Sequence, residues 1–336
     1  MKIRSASLLP MLVLLALLSP RASAADRTLC VYDPIGRAGD YYRIMEEFSL
    51  AAAGWGVNLT LKAYTDEETA SRDYDAGHCD GVLATGVRLQ RYNRFPSTLE
   101  AMGALPTYEH LRSMVDAMAR YPSAAARLRL GDHQTVGFIP VGAAYLFLRD
   151  RSRDTVSELA GLRVATMDYD KASPVMVDRV GAIRVSADLG SLGPKFNNGD
   201  VDACYMSAGG YRPFELSRGL EPSGGILRYP LAQATLQLLV RAPRFPDDFA
   251  GKSLTWFSEH FDDGLGLVRA VEADIPAKYW VDVPPARVAE FDELFLQTRL
   301  RLRDDHKAYD THMLSAMRKL RCSMDARRPE CAEALE

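Results

Sequence analysis

Little in this chain points to a nucleic acid, a metal or a membrane. Its 41 Lys and Arg are outnumbered by 44 Asp and Glu, for a formal charge of −3 with the signs interspersed. A protein that holds a polyanion usually carries a basic face, so nucleic-acid binding is excluded. Histidine and cysteine are sparse, six and five residues, and show no metal-ligand spacing. His306 and His312, with Asp304, Asp305 and Asp310, lie in a charged helical tail and read as a solvated face. Neither a metal nor a cofactor is expected, and without a Ser-His-Asp set the chain does not read as an enzyme. After the first two dozen residues no apolar run approaches the about 20 residues of a membrane-spanning helix.

What is present begins with an address. Lys2 and Arg4 precede the apolar run Leu8 to Leu18, and Ala22-Ser23-Ala24 supplies a small-x-small cleavage site, so residues 1–24 read as a signal peptide. Cys30 stands too far behind that site for lipid attachment, and a free periplasmic protein is expected. In an oxidising compartment cysteines pair. Cys30 and Cys79 open two strands expected side by side, Cys322 and Cys331 flank a short polar loop, and Cys204 is left as a buried thiol. His78 beside Cys79 is not a catalytic pair, because consecutive strand residues point to opposite faces.

Two stretches repeat one another. Gly77-His78-Cys79-Asp80-Gly81-Val82-Leu83-Ala84-Thr85-Gly86 is echoed by Gly199-Asp200-Val201-Asp202-Ala203-Cys204-Tyr205-Met206-Ser207-Ala208. In each, the Gly can close a helix, the apolar run can be a buried parallel strand, and the hydroxyl falls at the strand's carboxyl end, where open α/β sheets hold ligands. Gly-x-x-Asp before a strand is also ordinary punctuation. A second echo, Pro140-Val141-Gly142-Ala143-Ala144-Tyr145-Leu146-Phe147-Leu148-Arg149 against Pro230-Leu231-Ala232-Gln233-Ala234-Thr235-Leu236-Gln237-Leu238-Leu239-Val240-Arg241, favours two similar lobes joined by crossing strands.

Periodicity fills in the rest. Strands are expected at Thr28 to Tyr32 and Val57 to Lys62, with a helix from Tyr41 to Ala53 capped by Asp40 and another from Asp66 to Ala76. Gly36 and Gly39, ahead of a helix start, could offer N–H groups to an anion. Helices fill Ser97 to Leu130. The same order then returns, with a strand at Leu162 to Met167, a helix at Ser173 to Val180, a strand at Ile183 to Val185 and a helix at Leu192 to Asn198. Asp247 to Phe261 reads as a helix, Gly264 and Gly266 as a loosening of the chain, and Arg287 to Leu320 as charged, helical and wrapping the outside. The division is lobe 1 at 25–136, a crossover at 137–149, lobe 2 at 150–228, a return crossover at 229–241 and a helical segment at 242–336 that packs on both lobes.

Leu159-Ala160-Gly161-Leu162-Arg163-Val164, then Val180-Gly181-Ala182, then Asn198-Gly199-Asp200-Val201-Asp202 resembles the second lobe of DctP-type solute-binding proteins of TRAP transporters. Tyr32-Asp33-Pro34-Ile35-Gly36, Leu61-Lys62-Ala63-Tyr64-Thr65-Asp66-Glu67 and Lys195-Phe196-Asn197-Asn198-Gly199 are more closely similar to the AdeT-type branch, which carries an RND efflux-pump label. The resemblance implies a two-lobed α/β periplasmic binding protein of type II, a small-molecule solute and TRAP-type permease subunits as partners; a monomer is expected. Where that family presents a carboxylate-clamping arginine, this chain has Ala165. A periplasmic accessory role in RND drug export is the alternative, although a pump must span the membrane.

Residues just past strand carboxyl ends are the candidate ligand contacts: Asp33, Thr85 and Arg88 from the first lobe, Asp168, Tyr169 and Ser207 from the second, with Tyr145 and Tyr211 as flat aromatic surface. Asp33 could instead start a turn, Asp168 cap a helix and Tyr145 belong to the core. With Asp33 and Asp168 present and no arginine at position 165, a small polar solute, neutral and polyhydroxylated or cationic, is favoured over an anion.

Overall fold

The computed structural model describes residues 25–336; the signal-peptide segment 1–24 lies outside the described residues. Three parallel strands, β1 (Ala25–Tyr32), β2 (Val57–Tyr64) and β3 (Gly81–Thr85), make the first lobe's sheet, with β1 central. After the two-residue β4 (Arg129–Leu130) comes the long strand β5 (His133–Leu148). The second lobe repeats the first: β6 (Arg163–Met167) lies between β7 (Ile183–Ala187) and β8 (Ala203–Ser207), again parallel. A short β9 (Gly225–Leu227), the returning β10 (Ala232–Arg241) and β11 (Trp280–Val281) complete the set.

The order β2-β1-β3-β10-β5-β8-β6-β7 is one hydrogen-bonded path, because β5 belongs to both lobes. Its first part pairs antiparallel with β10, which borders β3; its last part pairs with β8. Between them the register against β10 slips at Ala234/Thr235, beside Pro140, which has no N–H to give, and near Gly142 at φ +108°. The two halves of the molecule meet at this irregularity.

The duplicated motif has a physical basis. Gly77 and Gly199 both take left-handed φ, +80° and +82°, and turn the chain out of a helix. The aspartate three residues later then fastens the neighbouring strand just ahead of the first paired residues, Leu29 with Gly81 in one lobe and Val164 with Ala203 in the other. Asp80 accepts the Thr28 N–H at 2.9 Å and its own N–H donates to Thr28 O at 2.7 Å. Asp202 does the same with Arg163, at 2.9 and 2.8 Å. The Thr28 and Arg163 N–H groups, which lie just outside the strand pairing, thus each find a partner.

Four expectations need correcting. Asp40 is the first residue of the helix Asp40–Gly54 and does not cap it; Gly39 precedes it, and the Asp33 carboxylate accepts the N–H groups of Tyr41 and Tyr42. A Cβ on Gly39 would fall 2.0 Å from Asp33, so the glycine makes room for that carboxylate. Gly264 and Gly266 do not loosen the chain but lie within the helix Phe261–Asp274, where Gly264 packs against Pro140 too closely for a side chain. The stretch 287–320, expected to wrap the outside, is helical, as Pro285–Asp304 and Thr311–Met324, but it is anchored inward by Phe291, Phe295, Met313 and Met317. Arg299 and Arg321 are buried there on Glu330 and Glu336, and they donate to the carbonyls of Met102 and Ala104. The stretch 97–130 is likewise interrupted, by a loop between Glu100 and the helix Tyr108–Arg120.

Both expected disulfides, Cys30–Cys79 and Cys322–Cys331, are formed. Cys204 is buried, and burial pushes its thiol well up, away from reactivity. The helices Phe249–Glu259 and Phe261–Asp274 bridge the halves: Phe249 and Phe257 join the first lobe's core, and Ile275, just beyond, joins the second's.

Candidate functional site

Between the lobes lies a cavity of about 210 Å³. The first lobe contributes Tyr32, Tyr41, Thr85 and Glu100; the second contributes Met167, Tyr169, Met206 and Ser207; the crossing strands give Val141, Leu146 and Gln233. Thr85 and Ser207, the hydroxyls ending the two copies of the repeat, therefore line one space. Its walls are mostly aliphatic and aromatic, with Phe291 and Phe295 of the C-terminal segment closing one side.

The carboxyl end of β3 is densely bonded. Thr85 Oγ1 accepts the Arg88 N–H and caps the short helix Gly86–Leu89. Glu67 accepts the Thr85 N–H at 2.6 Å and the Arg88 guanidinium at 3.4 Å. Glu100 accepts N–H groups from Gly86 at 3.2 Å, Val87 at 3.0 Å and Thr235 at 2.7 Å, and the Thr235 hydroxyl at 2.6 Å. Burial raises its carboxyl to about 7 despite these bonds, and among the described residues no cation forms an ion pair with it.

Tyr169 reaches over from the second lobe. Its hydroxyl donates to Glu67 at 3.0 Å, and its ring lies under the Arg88 guanidinium, 3.5 Å from ring centre to charge. Burial holds the phenol well above its ordinary value, so it stays a donor. This Glu67, Arg88 and Tyr169 group is a polar latch between the lobes. Beside it Asp170 accepts the N–H groups of Ala172 and Ser173, and the Tyr205 hydroxyl lies 3.1 Å from it.

The candidate residues thus divide. Thr85, Tyr169 and Ser207 line the cavity, and Arg88 stands behind Tyr169. Asp33 is buried under the first helix, outside the lining. Its carboxylate fills the glycine loop expected to receive an anion, and burial raises its carboxyl. Asp168 is exposed and accepts the Ser186 hydroxyl. Tyr145 is buried beneath the crossover with its hydroxyl on Glu272, and Tyr211 is packed in the second lobe's core. Ala165 is fully buried in that core and does not face the cavity. Sequence reasoning missed Glu67, Glu100, Asp170 and Gln233. Glu100 had one signal, an isolated acid between Leu99 and Ala101; the others look like helix-start or strand polar residues.

Among the described residues no Arg, Lys or His lines the cavity, no helix is long and apolar enough to cross a membrane, and no group of three or more metal-type ligands occurs. The fold is similar to solved binding proteins. A TRAP periplasmic solute binding protein from Ralstonia eutropha, with bound (S)-2-acetolactate, matches with TM-score 0.72 at 12% identity over 89% of this chain and 99% of that one. One from Rhodoferax ferrireducens, with bound malonate, matches with TM-score 0.70 at 12% identity over 89% and 100%. In sequence the chain is 35% identical to "Probable solute-binding protein AdeT1" of Acinetobacter baumannii, over 90% of this chain and 99% of that protein. The family described as solute-binding protein AdeT 1/2 matches residues 45–336. With its two-lobed α/β scaffold and a cavity where the lobes meet, this chain belongs to the AdeT 1/2 family of solute-binding proteins.

Proposed function

We propose that this chain works in the periplasm as the capture component of a TRAP-type transporter, closing its lobes over a small molecule and presenting it to membrane permease subunits. The single observation that carries this is the cavity walled by both lobes and bridged by Tyr169 on Glu67 and Arg88. A solute that touches both walls favours the closed arrangement by its differential affinity, and the irregular crossing near Pro140 and Gly142 is the point at which the lobes would swing. The structural neighbours bear TRAP solute-binding names, which supports the transport setting. The function is binding without turnover, because the carboxylates at the cleft are engaged by backbone and side-chain donors. The chain acts as a monomer.

The test is a metabolite screen by thermal shift on mature protein that has been unfolded and refolded to strip carried-over solute. A true solute at a hundredfold excess over its Kd stabilises the fold by about 2.7 kcal/mol. Small-angle scattering of Tyr169→Ala should show a larger radius of gyration without solute. A screen without stabilising compounds, with a pump subunit binding directly, would instead favour the export-accessory role.

A further inference from the structure

Four carboxylates of the chain itself occupy N–H groups at strand carboxyl ends, and two of them, Glu100 and Asp170, do so on the cavity wall. Asp33 takes the N–H groups beyond β1, Glu67 and Glu100 take those beyond β3, and Asp170 takes those beyond β6. Strand carboxyl ends with converging N–H groups are the usual anion sockets of open α/β sheets. Here each is filled from within. The Arg88 charge is balanced by Glu67 and its face is covered by the Tyr169 ring. A solute carboxylate entering the cavity would shed its hydration among apolar walls without a free cation to meet it, which is strongly unfavourable.

One acceptor on the cavity wall is left unpaired among the described residues. Gln233 lies on its wall and is 1% exposed. Its Nε2 donates to Leu105 O at 3.1 Å, while its Oε1 is buried without a partner. A buried acceptor left bare is costly, so a donor arriving with the solute would be favoured there. Glu100, also on the wall, lacks a cationic partner and would welcome a positive or neutral donor over a second anion. We infer that the cavity takes solutes with an apolar body and a head group that donates hydrogen bonds and carries no negative charge. The inference rests on the function proposed above, and it places malonate-like acids outside the solute class.

The experiment compares three heads on one body, 3-phenylpropylammonium, 3-phenylpropanamide and 3-phenylpropanoate, by titration calorimetry on the refolded mature protein. The ammonium and the amide should bind at least about tenfold more tightly than the propanoate. Glu67→Gln, which releases the Arg88 charge, should narrow that gap by raising propanoate affinity, while Gln233→Met should weaken the amide about tenfold. Propanoate binding as tightly as the others would overturn the inference and leave the solute-binding function standing. So would failure of all three when the metabolite screen still yields a stabilising compound. If the screen yields nothing either, the proposed function falls as well. An unchanged head-group preference in Gln233→Met, with a cooperative melt, would overturn the role of that acceptor.

Discussion

The carboxyl ends of β3 and β8 are the same motif used twice, yet they meet the cavity with different chemistry. At β3, Thr85 is occupied as a helix cap, its N–H goes to Glu67, and the next two N–H groups go to Glu100. At β8, Ser207 opens a short turn and makes no cap bond, so its hydroxyl is available at the cavity wall. The first lobe is also cross-linked at Cys30–Cys79, whereas Cys204 in the second copy stays a thiol. Duplication preserved the strand-pinning aspartates and allowed the ligand-facing ends to diverge. At the end of β3 the motif is a bonded, preformed platform; at the end of β8 it leaves the Ser207 hydroxyl for contact, with Tyr169 as the arm that joins the lobes.

The largest way to break this contrast is to uncouple the first lobe's cross-link. Replacing Cys30 and Cys79 by Ala opens a loop with separation 49 and should cost about 4 kcal/mol in denaturant unfolding. The same change at Cys322 and Cys331, separation 9, should cost about 3 kcal/mol and leave the lobes' relative stability alone. If the two losses were reversed in order, the first lobe would not be the more constrained.

A smaller effect tests the bonded platform through pH. The Glu100 carboxyl is held up to about 7 in the fold against an ordinary 4.5. A group raised on folding stabilises fully below its unfolded value, and that contribution is lost as pH rises through the folded value. Between about pH 4.5 and 8 the wild type should therefore lose about 3 kcal/mol relative to Glu100→Gln, whose side chain stays neutral. Parallel stability curves for the two proteins over that window would show that Glu100 does not titrate as its burial demands.

The pinning aspartates should behave alike despite the divergence around them. Asp80→Ala and Asp202→Ala each free a backbone N–H of the neighbouring strand and an arginine, and each should cost about 1–2 kcal/mol by thermal unfolding. A loss confined to one copy would mean the repeat is structural in one lobe only. The smallest expected effect is at the free hydroxyl: Ser207→Ala should leave stability within about 0.5 kcal/mol and weaken the best solute by no more than about tenfold. Thr85→Ala should do the reverse, losing about 1 kcal/mol of stability with its cap.

Much of this was legible in the residues. Alternation and glycine stops gave the strands and their repeat, and the places of Cys30 and Cys79 at two strands expected side by side gave the cross-link, because these depend on contacts within or between neighbouring elements. The candidate site was legible in part. Thr85, Tyr169 and Ser207 line the cavity as their places at strand ends imply. Asp33 and Tyr145 do not, since a strand end does not say whether a side chain turns to the cleft or down to a helix start. Glu100 was hidden because its partners Gly86 and Thr235 come from distant parts of the chain.

Local order and pattern thus determined the two lobes, the crossing strands, the disulfides and the absence of an arginine at position 165. Tertiary structure alone decided which acids turned inward onto backbone donors, and that Tyr169 would lie on Arg88 across the cleft. The reason is that a buried charge selects its position by the partners that compensate it, and those partners converge only once the sheets and helices have packed.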